Sequence, residues 1–369
     1  MALFADNVPD PKPRRRGGWI GWSLLGLGLA GVVAVAVIPA PYVIEQPGPV
    51  FDVLGNVQIS GDEVPLIQIP MEETYPTTGA LRMLTVNIVG NREQLPNWLE
   101  IAAAYFDPSK AVIPVDAVYP VGQTVEQSNE AGRVDMENSQ KEAVAAALTE
   151  LGYDIPSTLT VVETAEGGAA DGKLQADDVV LELNGQTFTD VSGLRAAIAE
   201  NGLDTPAQVL IRRDGVEQTI AITPQLSGGE NPAPVLGIVV GSDYEFPFTV
   251  KIQLDNVGGP SAGMMFALGI IDKLSDGSLT GGEDIAGTGT ITGAGEVGPI
   301  GGIRQKMWGA LRAGADWFLA PADNCNEVTG HIPDGLTVFS VKTLDDALTA
   351  LKTINSGGDT SALPTCAAK

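Results

Sequence analysis

The sequence has few of the residues on which metal sites and nucleic-acid binding depend. It contains one histidine and two cysteines in 369 residues, without metal-ligand spacing, which argues against a structural zinc site. Its 21 basic residues face 46 acidic ones, a net charge of −25, and this excludes nucleic acid as a partner because phosphate contacts require basic side chains. The hydrophobic fraction of 44% still predicts a folded protein of about two or three domains.

Charged residues are also missing from residues 17 to 44, which follow the basic run KPRRRG. The stretch WIGWSLLGLGLAGVVAVAVI has about the 20 apolar residues that cross a bilayer. Because basic residues precede it, the positive-inside rule places the chain after it outside the cytoplasm. We therefore predict a cytoplasmic segment 1–16 and a transmembrane anchor 17–40. A cleaved signal peptide is the alternative, since Ala34-Val35-Ala36 fits a cleavage site.

The two cysteines, Cys325 and Cys366, would both lie on the exported side, where disulfides persist. A bridge between them would attach the C-terminal tail, residues 354–369, to the folded body. Two free thiols are the alternative.

Helices and strands alternate after the apolar segment. LRMLTVNIV is typical of a strand, and LPNWLEIAAAYF has apolar residues at helical spacing. A second helix is predicted to begin at Ser139, which forms a capping box with Glu142, and to end at Gly152.

The segment from residue 157 to 224 has its own strand and turn pattern. LTVVETA is a predicted strand, Asn184-Gly185 a turn, DVSGLRAAIAE a short helix, and AQVLIRR-DG-VEQTIAI a hairpin. The pattern DG.L...D.V..LNG that begins at Asp171, followed by this helix and hairpin, resembles a bacterial PDZ domain. PDZ domains bind extended chain ends by strand addition. A small structural domain is the alternative, because no carboxylate-binding loop is legible in this segment.

The stretch GGPSAGMMFALGIIDKL places Ser261 at the start of a predicted helix. Backbone amides at a helix N-terminus stabilise developing negative charge, and Gly259, Ser261 and Ala262 are the candidate amides for an oxyanion hole. A capped glycine-rich turn without chemistry explains the same residues.

A downstream helix, in GPIGGIRQKMWGALRAGADWFLAP, carries a charged residue on its apolar face. Lys306 shares a stripe with Ile303, Met307, Ala310, Leu311 and Gly314. Burial disfavours the ammonium form, as a lysine acting as a general base requires. The alternative is that the side chain extends along the surface to reach water.

These two stretches together resemble the proteolytic domain of Lon proteases, in which a serine and a lysine act without histidine. The resemblance implies that Ser261 is the nucleophile, that Lys306 is its base, and that Thr288 in AGTGTITGAGEVGPIGG positions the lysine. Many Lon enzymes have an aspartate three residues before the serine, whereas this chain has Gly258. Asp255 is a weak substitute.

The whole chain resembles the membrane-anchored Lon-like bacterial proteases, in which a PDZ domain interrupts the protease domain. This resemblance implies an α+β fold with one preceding transmembrane helix. The expected domains are an N-terminal protease part 41–155, a PDZ domain 156–225, a linker 226–234 and a C-terminal protease part 235–353.

Two other readings of the catalytic region are open to test. Gly293 to Gly298, GAGEVG, matches a dinucleotide-binding pattern, but Pro299 interrupts the helix that such a site needs, so we predict a hairpin turn. His331 as base for Ser261 lacks a supporting carboxylate pattern.

The sequence therefore predicts a serine endopeptidase that cleaves unfolded or exposed polypeptide outside the cytoplasmic membrane, without cofactor. It has no Walker motif, so we expect cleavage without ATP. The PDZ domain would recognise substrate ends, and the family implies a homo-oligomer, a hexameric ring. A non-catalytic, membrane-tethered PDZ scaffold is the alternative function.

Overall fold

A computed structural model describes residues 22–28, 36–59, 61–119, 125–188, 190–227, 232–254 and 257–366. These residues form two compact units. The smaller contains the described residues of 22–44 and 88–119, and the larger contains those of 45–87 and 125–366.

The predicted anchor, residues 17–40, lies mostly outside the described residues. Residues 22–28 are helical and exposed. Within the described part of the chain, no helix has both the length and the apolar character needed to cross a membrane.

The smaller unit contains the predicted helix α1 (Trp98–Tyr105), the strand β6 (Ala111–Pro114) and the short helix α2 (Val115–Val118). Asn97 caps α1 by accepting hydrogen bonds from the amides of Leu99 and Glu100. Its small core contains Ala40, Ile44, Ile101 and Ala104.

The larger unit contains a sheet with the strand order β20-β19-β16-β5-β1. Its pairs β5–β16, β16–β19 and β19–β20 are parallel. The strands are β1 (Tyr42–Asp52), β5 (Ala80–Val89), β16 (Asp284–Gly287), β19 (Trp317–Pro321) and β20 (Thr337–Val341). Short paired strands accompany it: β2 (Asn56–Ile59), β3 (Asp62–Pro65), β4 (Ile67–Gln68), β15 (Lys251–Ile252), β17 (Thr290–Ile291) and β18 (Val297–Gly298).

Helices of the larger unit build the main core against this sheet. They are α3 (Val125–Glu150), α5 (Gly263–Leu274), α6 (Ile303–Arg312), α7 (Cys325–Val328) and α8 (Leu344–Asn355). Helix α5 is buried from Gly263 to Asp272, because apolar residues cover all its faces. Two 3-10 turns, Ala322–Asn324 and Thr360–Ala362, complete this part of the chain.

Helix α3 corrects the predicted capping box. The helix begins at Val125 and passes through Ser139 and Glu142, so neither residue caps it. Their polar groups bond to other segments instead: Ser139 to the carbonyl of Pro260, and Glu142 to Tyr244 and Gly293. A side chain that fits a capping pattern in the sequence can instead form a hydrogen bond to a distant segment that packs beside it in the fold. The helix ends before Gly152, as predicted.

A second sheet in the same unit has the strand order β11-β10-β8-β7-β14, with β9 paired to β8. Its strands are β7 (Ser157–Thr164), β8 (Val179–Leu183), β9 (Gln186–Thr187), β10 (Ala207–Arg213), β11 (Val216–Ile222) and β14 (Ile238–Tyr244). The predicted hairpin is confirmed: β10 and β11 pair around Asp214 and Gly215, which both have positive φ. Helix α4 (Val191–Asn201), capped by Asp190, contributes Leu194 and Ile198 to the separate core of this sheet.

The end of this second module differs from the sequence-based boundary. Residues from 235 onward were expected in the protease part, yet Leu236 lies in the core of the second sheet. β14 pairs antiparallel with β7 from Ile238–Thr164 to Tyr244–Ser157. The short pair β12 (Gln225–Leu226) and β13 (Pro234–Val235) precedes it. Strand pairing between segments this far apart leaves no local sequence signal, so the predicted boundary of the module omitted β14.

Candidate active site

The loop before α5 holds Ser261 through contacts with α3. The amide of Gly259 donates to the carbonyl of Gly132 at 2.8 Å. Gly258 lies so close to Gly132 that a Cβ on it would be 3.1 Å from the Gly132 carbonyl carbon. Gly259 has φ +85°, a conformation that glycine adopts without strain. These glycines therefore let two backbones touch and fix the loop.

A second contact from α3 fixes the residue before the serine. The buried hydroxyl of Ser139 donates to the carbonyl of Pro260 at 2.9 Å. Helix α3 thus holds the loop at two adjacent residues, Gly259 and Pro260, directly before Ser261.

Helix α6 brings Lys306 to this serine. The Lys306 side chain is 2% exposed, and its Nζ lies 2.7 Å from the Ser261 Oγ and 3.0 Å from the Thr288 Oγ1. The predicted apolar face of the helix is buried, with Ile303, Met307 and Ala310 around the lysine. The alternative in which the ammonium reaches the surface is therefore wrong.

Thr288 connects the two groups. Its fully buried hydroxyl donates to the Ser261 carbonyl at 2.9 Å. Because that hydroxyl has a single proton, it accepts from Lys306. The threonine therefore fixes the lysine nitrogen relative to the serine backbone, the position that the resemblance implied.

Burial lowers the pKa of Lys306 to about 8, and the carboxylate of Glu45 opposes this decrease. With such a pKa about a tenth of the amines are neutral at pH 7. A neutral amine 2.7 Å from a hydroxyl can accept its proton.

The serine and the lysine open into a cavity of about 480 Å³. Glu45, Thr85, Asn87, Met136 and Gly301 are among the residues that line it with Ser261 and Lys306. The cavity is large enough to hold a ligand beside these two side chains.

Of the three amides predicted to form an oxyanion hole, one is not available. The Gly259 amide is engaged by Gly132, so it is not available to an oxyanion. Within the described part of the chain, no residue accepts a hydrogen bond from the amides of Ser261 or Ala262. These two amides are the remaining candidates near the nucleophile.

Comparison with known proteins assigns this region to a family. The family model described as the Lon protease (S16) C-terminal proteolytic domain matches residues 256–353, which include Ser261, Thr288 and Lys306. The chain carries a Lon-type proteolytic domain. A second family model, described as a PDZ domain, matches residues 123–223.

Curated relatives match this chain over a limited length. Lon protease 1 of Sorangium cellulosum is 43% identical over 93 residues, which are 24% of this chain and 11% of that protein. The Lon protease of Geobacter metallireducens is 40% identical over 110 residues, 29% of this chain and 13% of that protein. This chain therefore spans a small part of the length of these relatives.

A solved structure is similar to part of this chain. The PDZ domain of the SdrC-like protein from Listeria innocua covers 22% of this chain and 92% of its own, at 20% identity and a TM-score of 0.21. The family match to the PDZ model includes α3, which packs in the Lon-type core, and ends before β14.

Other predicted groups lie away from the Lon-type site or outside the described residues. Asp255 is among the residues that the structure does not describe. His331 lies in an exposed loop with its ring nitrogen 3.1 Å from the Thr329 carbonyl oxygen, so the histidine alternative is wrong for this structure. GAGEVG contains the turn after β17 and the strand β18 that pairs with β17, the predicted hairpin. Cys325 and Cys366 form a disulfide bond.

Sequence reasoning missed one residue of the Lon-type site. Glu45, on β1, is 9% exposed and lines the cavity, and it is the carboxylate that acts on Lys306. Its signal was a single acid at the end of the apolar run PYVIE, far from Ser261 in sequence.

The PDZ module has a groove that was also missed. Its volume is about 370 Å³, between α4 and the edge strand β14. Leu194, Ile198, Leu236 and Ile238 line it, and Arg195 is the charged residue among the described lining residues. Gly237 has φ +73°, and the carbonyls of Leu236 and Gly237 accept from Ala170 and Ala165. This candidate carboxylate-binding loop was not recognised in the sequence, because it follows the β10–β11 hairpin and does not precede the first strand of the module.

Proposed function

We propose that this chain is a serine endopeptidase that uses Ser261 and Lys306 to cleave unfolded or exposed polypeptide segments. The observation that carries the proposal is the 2.7 Å contact between a buried lysine nitrogen and the hydroxyl of a serine that faces a cavity. The Lon-type domain supports the same reaction class.

The reaction follows from this geometry. The neutral Lys306 amine takes the Ser261 proton while the Oγ attacks the scissile carbonyl carbon, which gives a tetrahedral oxyanion. We propose the amides of Ser261 and Ala262 as the donors to that oxyanion. The Lys306 ammonium then protonates the leaving amine, the peptide C–N bond breaks, and an acyl-enzyme remains.

Water completes the cycle with the same groups. Lys306, neutral again, takes a proton from a water molecule that attacks the ester carbonyl. The serine Oγ leaves and recovers its proton from Lys306. No step consumes a nucleotide, so we expect cleavage without ATP.

We test the catalytic proposal with the full chain and a dye-labelled unfolded protein, without ATP or metal. Ser261→Ala and Lys306→Ala should each reduce cleavage at least about a thousandfold. Ser361→Ala and Lys352→Ala remove exposed residues of the same types and should leave the rate unchanged. Robust cleavage by both site variants would disprove the assignment. A folded chain that binds polypeptide and never cleaves it would favour the scaffold alternative.

We propose that the PDZ module captures substrate ends in the groove between α4 and β14. An edge strand beside an apolar groove suits an extended chain, and the amides of Leu236 and Gly237 have no described acceptor, so they are available to a terminal carboxylate. A fluorescent peptide with an apolar last residue and a free carboxylate should bind. The same peptide with an amidated end should bind at least about tenfold more weakly. Equal binding of the two would exclude carboxylate capture.

The remaining expectations are proposals from the sequence. We propose a single-pass anchor within residues 17–40 with the catalytic part outside the cytoplasmic membrane, because of the uncharged run and the basic residues before it. A hexameric ring is proposed by analogy with Lon enzymes. Alkaline extraction of membranes tests the anchor, and light scattering of the detergent-solubilised chain tests the assembly. Release from the membrane, or a monomeric mass, would count against them.

A further inference from the structure

Glu45 is a buried carboxylate at the beginning of the helix that carries the lysine. The residue belongs to β1, and its side chain lies against Gly302, where a Cβ would be 2.5 Å from the Glu45 Oε1. Gly302 has φ +69° and its carbonyl accepts from the Lys306 amide at 3.0 Å. The glycine thus leaves space for the carboxylate one helical turn from the lysine.

Few charged groups act on this carboxylate. Lys306 on α6 and Glu327 on α7 are the ionisable side chains whose charges influence it among the described residues. On the lysine, the corresponding influence comes from Glu45. Burial raises the pKa of Glu45, and Lys306 opposes this increase. The two groups are therefore an acid and a base that line one cavity.

The carboxylate does not take the lysine away from the serine. Glu45 and Lys306 form no close ion pair among the described ion pairs. The lysine nitrogen keeps its hydrogen bonds to Ser261 and Thr288. Glu45 therefore acts through its charge across the cavity and leaves the geometry of the pair intact.

We propose that Glu45 is a positioning residue of the reaction, whose negative charge stabilises the Lys306 ammonium that forms when Ser261 gives up its proton. Position 258, three residues before the serine, is a glycine and has no carboxylate to offer. The charge comes instead from β1. An interaction with the ammonium is stronger in the transition state than with the neutral amine, so it lowers the barrier. The inference rests on the proposed serine–lysine chemistry.

The sign of the effect on pH dependence follows directly. A carboxylate favours the protonated lysine, so its removal lowers the pKa of Lys306 below about 8. The neutral base is then present at lower pH, and the acid limb of the pH–rate profile moves down. The plateau at high pH falls, because the ammonium in the transition state has lost its partner.

The experiment compares the full chain with Glu45→Gln, Glu45→Asp and Glu327→Gln. The first readout is kcat and KM on the dye-labelled unfolded protein. The second is the rate at which a fluorophosphonate labels Ser261. Both are measured from about pH 5 to about pH 10. Labelling breaks the P–F bond and passes the serine proton to Lys306, so it reports the same pair without a polypeptide substrate.

We expect Glu45→Gln to shift the acid limb down by about 1 pH unit and to lower plateau kcat about tenfold with KM unchanged. Glu45→Asp keeps the charge with a shorter side chain and should be intermediate in both readouts. Glu327→Gln removes a nearby carboxylate that does not act on Lys306. The acid limb of the pH–rate profile of this variant should therefore stay at the wild-type pH.

The outcomes separate this inference from the proposed function. An unmoved limb in Glu45→Gln, or aspartate and glutamine variants that behave alike, would overturn the role of the charge. If Glu45→Gln does not fold, the intermediate shift of Glu45→Asp decides the question. A wild-type reaction that does not depend on Ser261 or Lys306 would instead overturn the proposed function itself.

Discussion

The Lon-type domain and the PDZ module present concave surfaces of comparable size, about 480 and 370 Å³. The first is lined by buried Lys306 and Glu45, whereas the second is lined by apolar side chains of α4 and β14 with exposed Arg195. Burying an amine costs stability, but it gives a base whose neutral form is already present in a small fraction of molecules near physiological pH. An apolar groove carries no such cost and supplies contact area. In the first cavity, burial of an amine provides a base for the proposed reaction. In the second, apolar side chains provide contact area for the proposed binding.

Replacing the buried base should have the largest effect, because it makes the catalytic cavity resemble the apolar groove. Lys306→Met should abolish cleavage and increase stability at pH 7 by about 2 kcal/mol, after the loss of two hydrogen bonds. The folded lysine releases its proton at about pH 8 and the unfolded lysine at 10.5. Wild-type stability should therefore rise with pH between these values more steeply than that of the variant, which lacks the contribution of Lys306.

Urea unfolding at about pH 7, 8 and 10 measures this difference in the pH dependence of stability. Lys352→Met, at an exposed position, is the matched control and should follow the wild-type pH dependence. Equal slopes for Lys306→Met and wild type would mean that the lysine is hydrated in the folded chain.

The contact between the two modules gives the second prediction. Glu142 on α3 accepts from the Tyr244 hydroxyl at 2.7 Å and from the Gly293 amide, so it joins β14 to the hairpin of the Lon-type domain. Glu142→Ala leaves both donors without an acceptor and should cost about 2–3 kcal/mol. Tyr244→Phe removes one hydrogen bond and should cost about 1 kcal/mol.

Thermal unfolding of both variants, followed by calorimetry, tests this order. Unfolding of the PDZ module ahead of the Lon-type domain in Glu142→Ala would show that the carboxylate holds the modules together. A larger loss in Tyr244→Phe than in Glu142→Ala would contradict the account.

The smallest expected change in stability concerns the two glycines that fix the serine loop. A Cβ on Gly132 would meet Gly258 at an ordinary 3.7 Å, and alanine suits a helix interior, so Gly132→Ala should stabilise by up to about 1 kcal/mol. A Cβ on Gly258 would lie 3.1 Å from Gly132 backbone, which cannot yield.

Gly258→Ala should therefore displace the loop and reduce kcat about tenfold to a hundredfold, with folding retained. Melting temperature and fluorophosphonate labelling of the two variants separate these effects. Labelling that is equally fast in both would mean that the loop does not depend on α3.

Local patterns predicted a good part of this arrangement. The apolar stripe around Lys306 foretold a buried amine, and GGPSAG followed by an apolar run foretold a serine before a buried helix. The hairpin at Asp214-Gly215 followed from turn chemistry. In each case the residues that determine the feature lie within a few positions of one another.

Long-range pairing accounts for what was missed. Ser139 and Glu142 satisfied a local capping rule, but their hydrogen bonds go to Pro260, Tyr244 and Gly293. β14 joined the sheet of a module whose other strands end before residue 223. The charge of Glu45 acts on the lysine from a strand near the beginning of the described chain.

The sequence by itself determined the acidic surface, the helix and strand periodicities and the presence of a serine and a lysine in Lon-like surroundings. The tertiary structure alone decided that these two side chains lie 2.7 Å apart, that Thr288 fixes the lysine, and that Gly259 has no free amide. The physical reason is that periodicity and turn preferences act between neighbours in the chain. Burial, and with it the lowered pKa of Lys306, exists only when distant segments exclude water together.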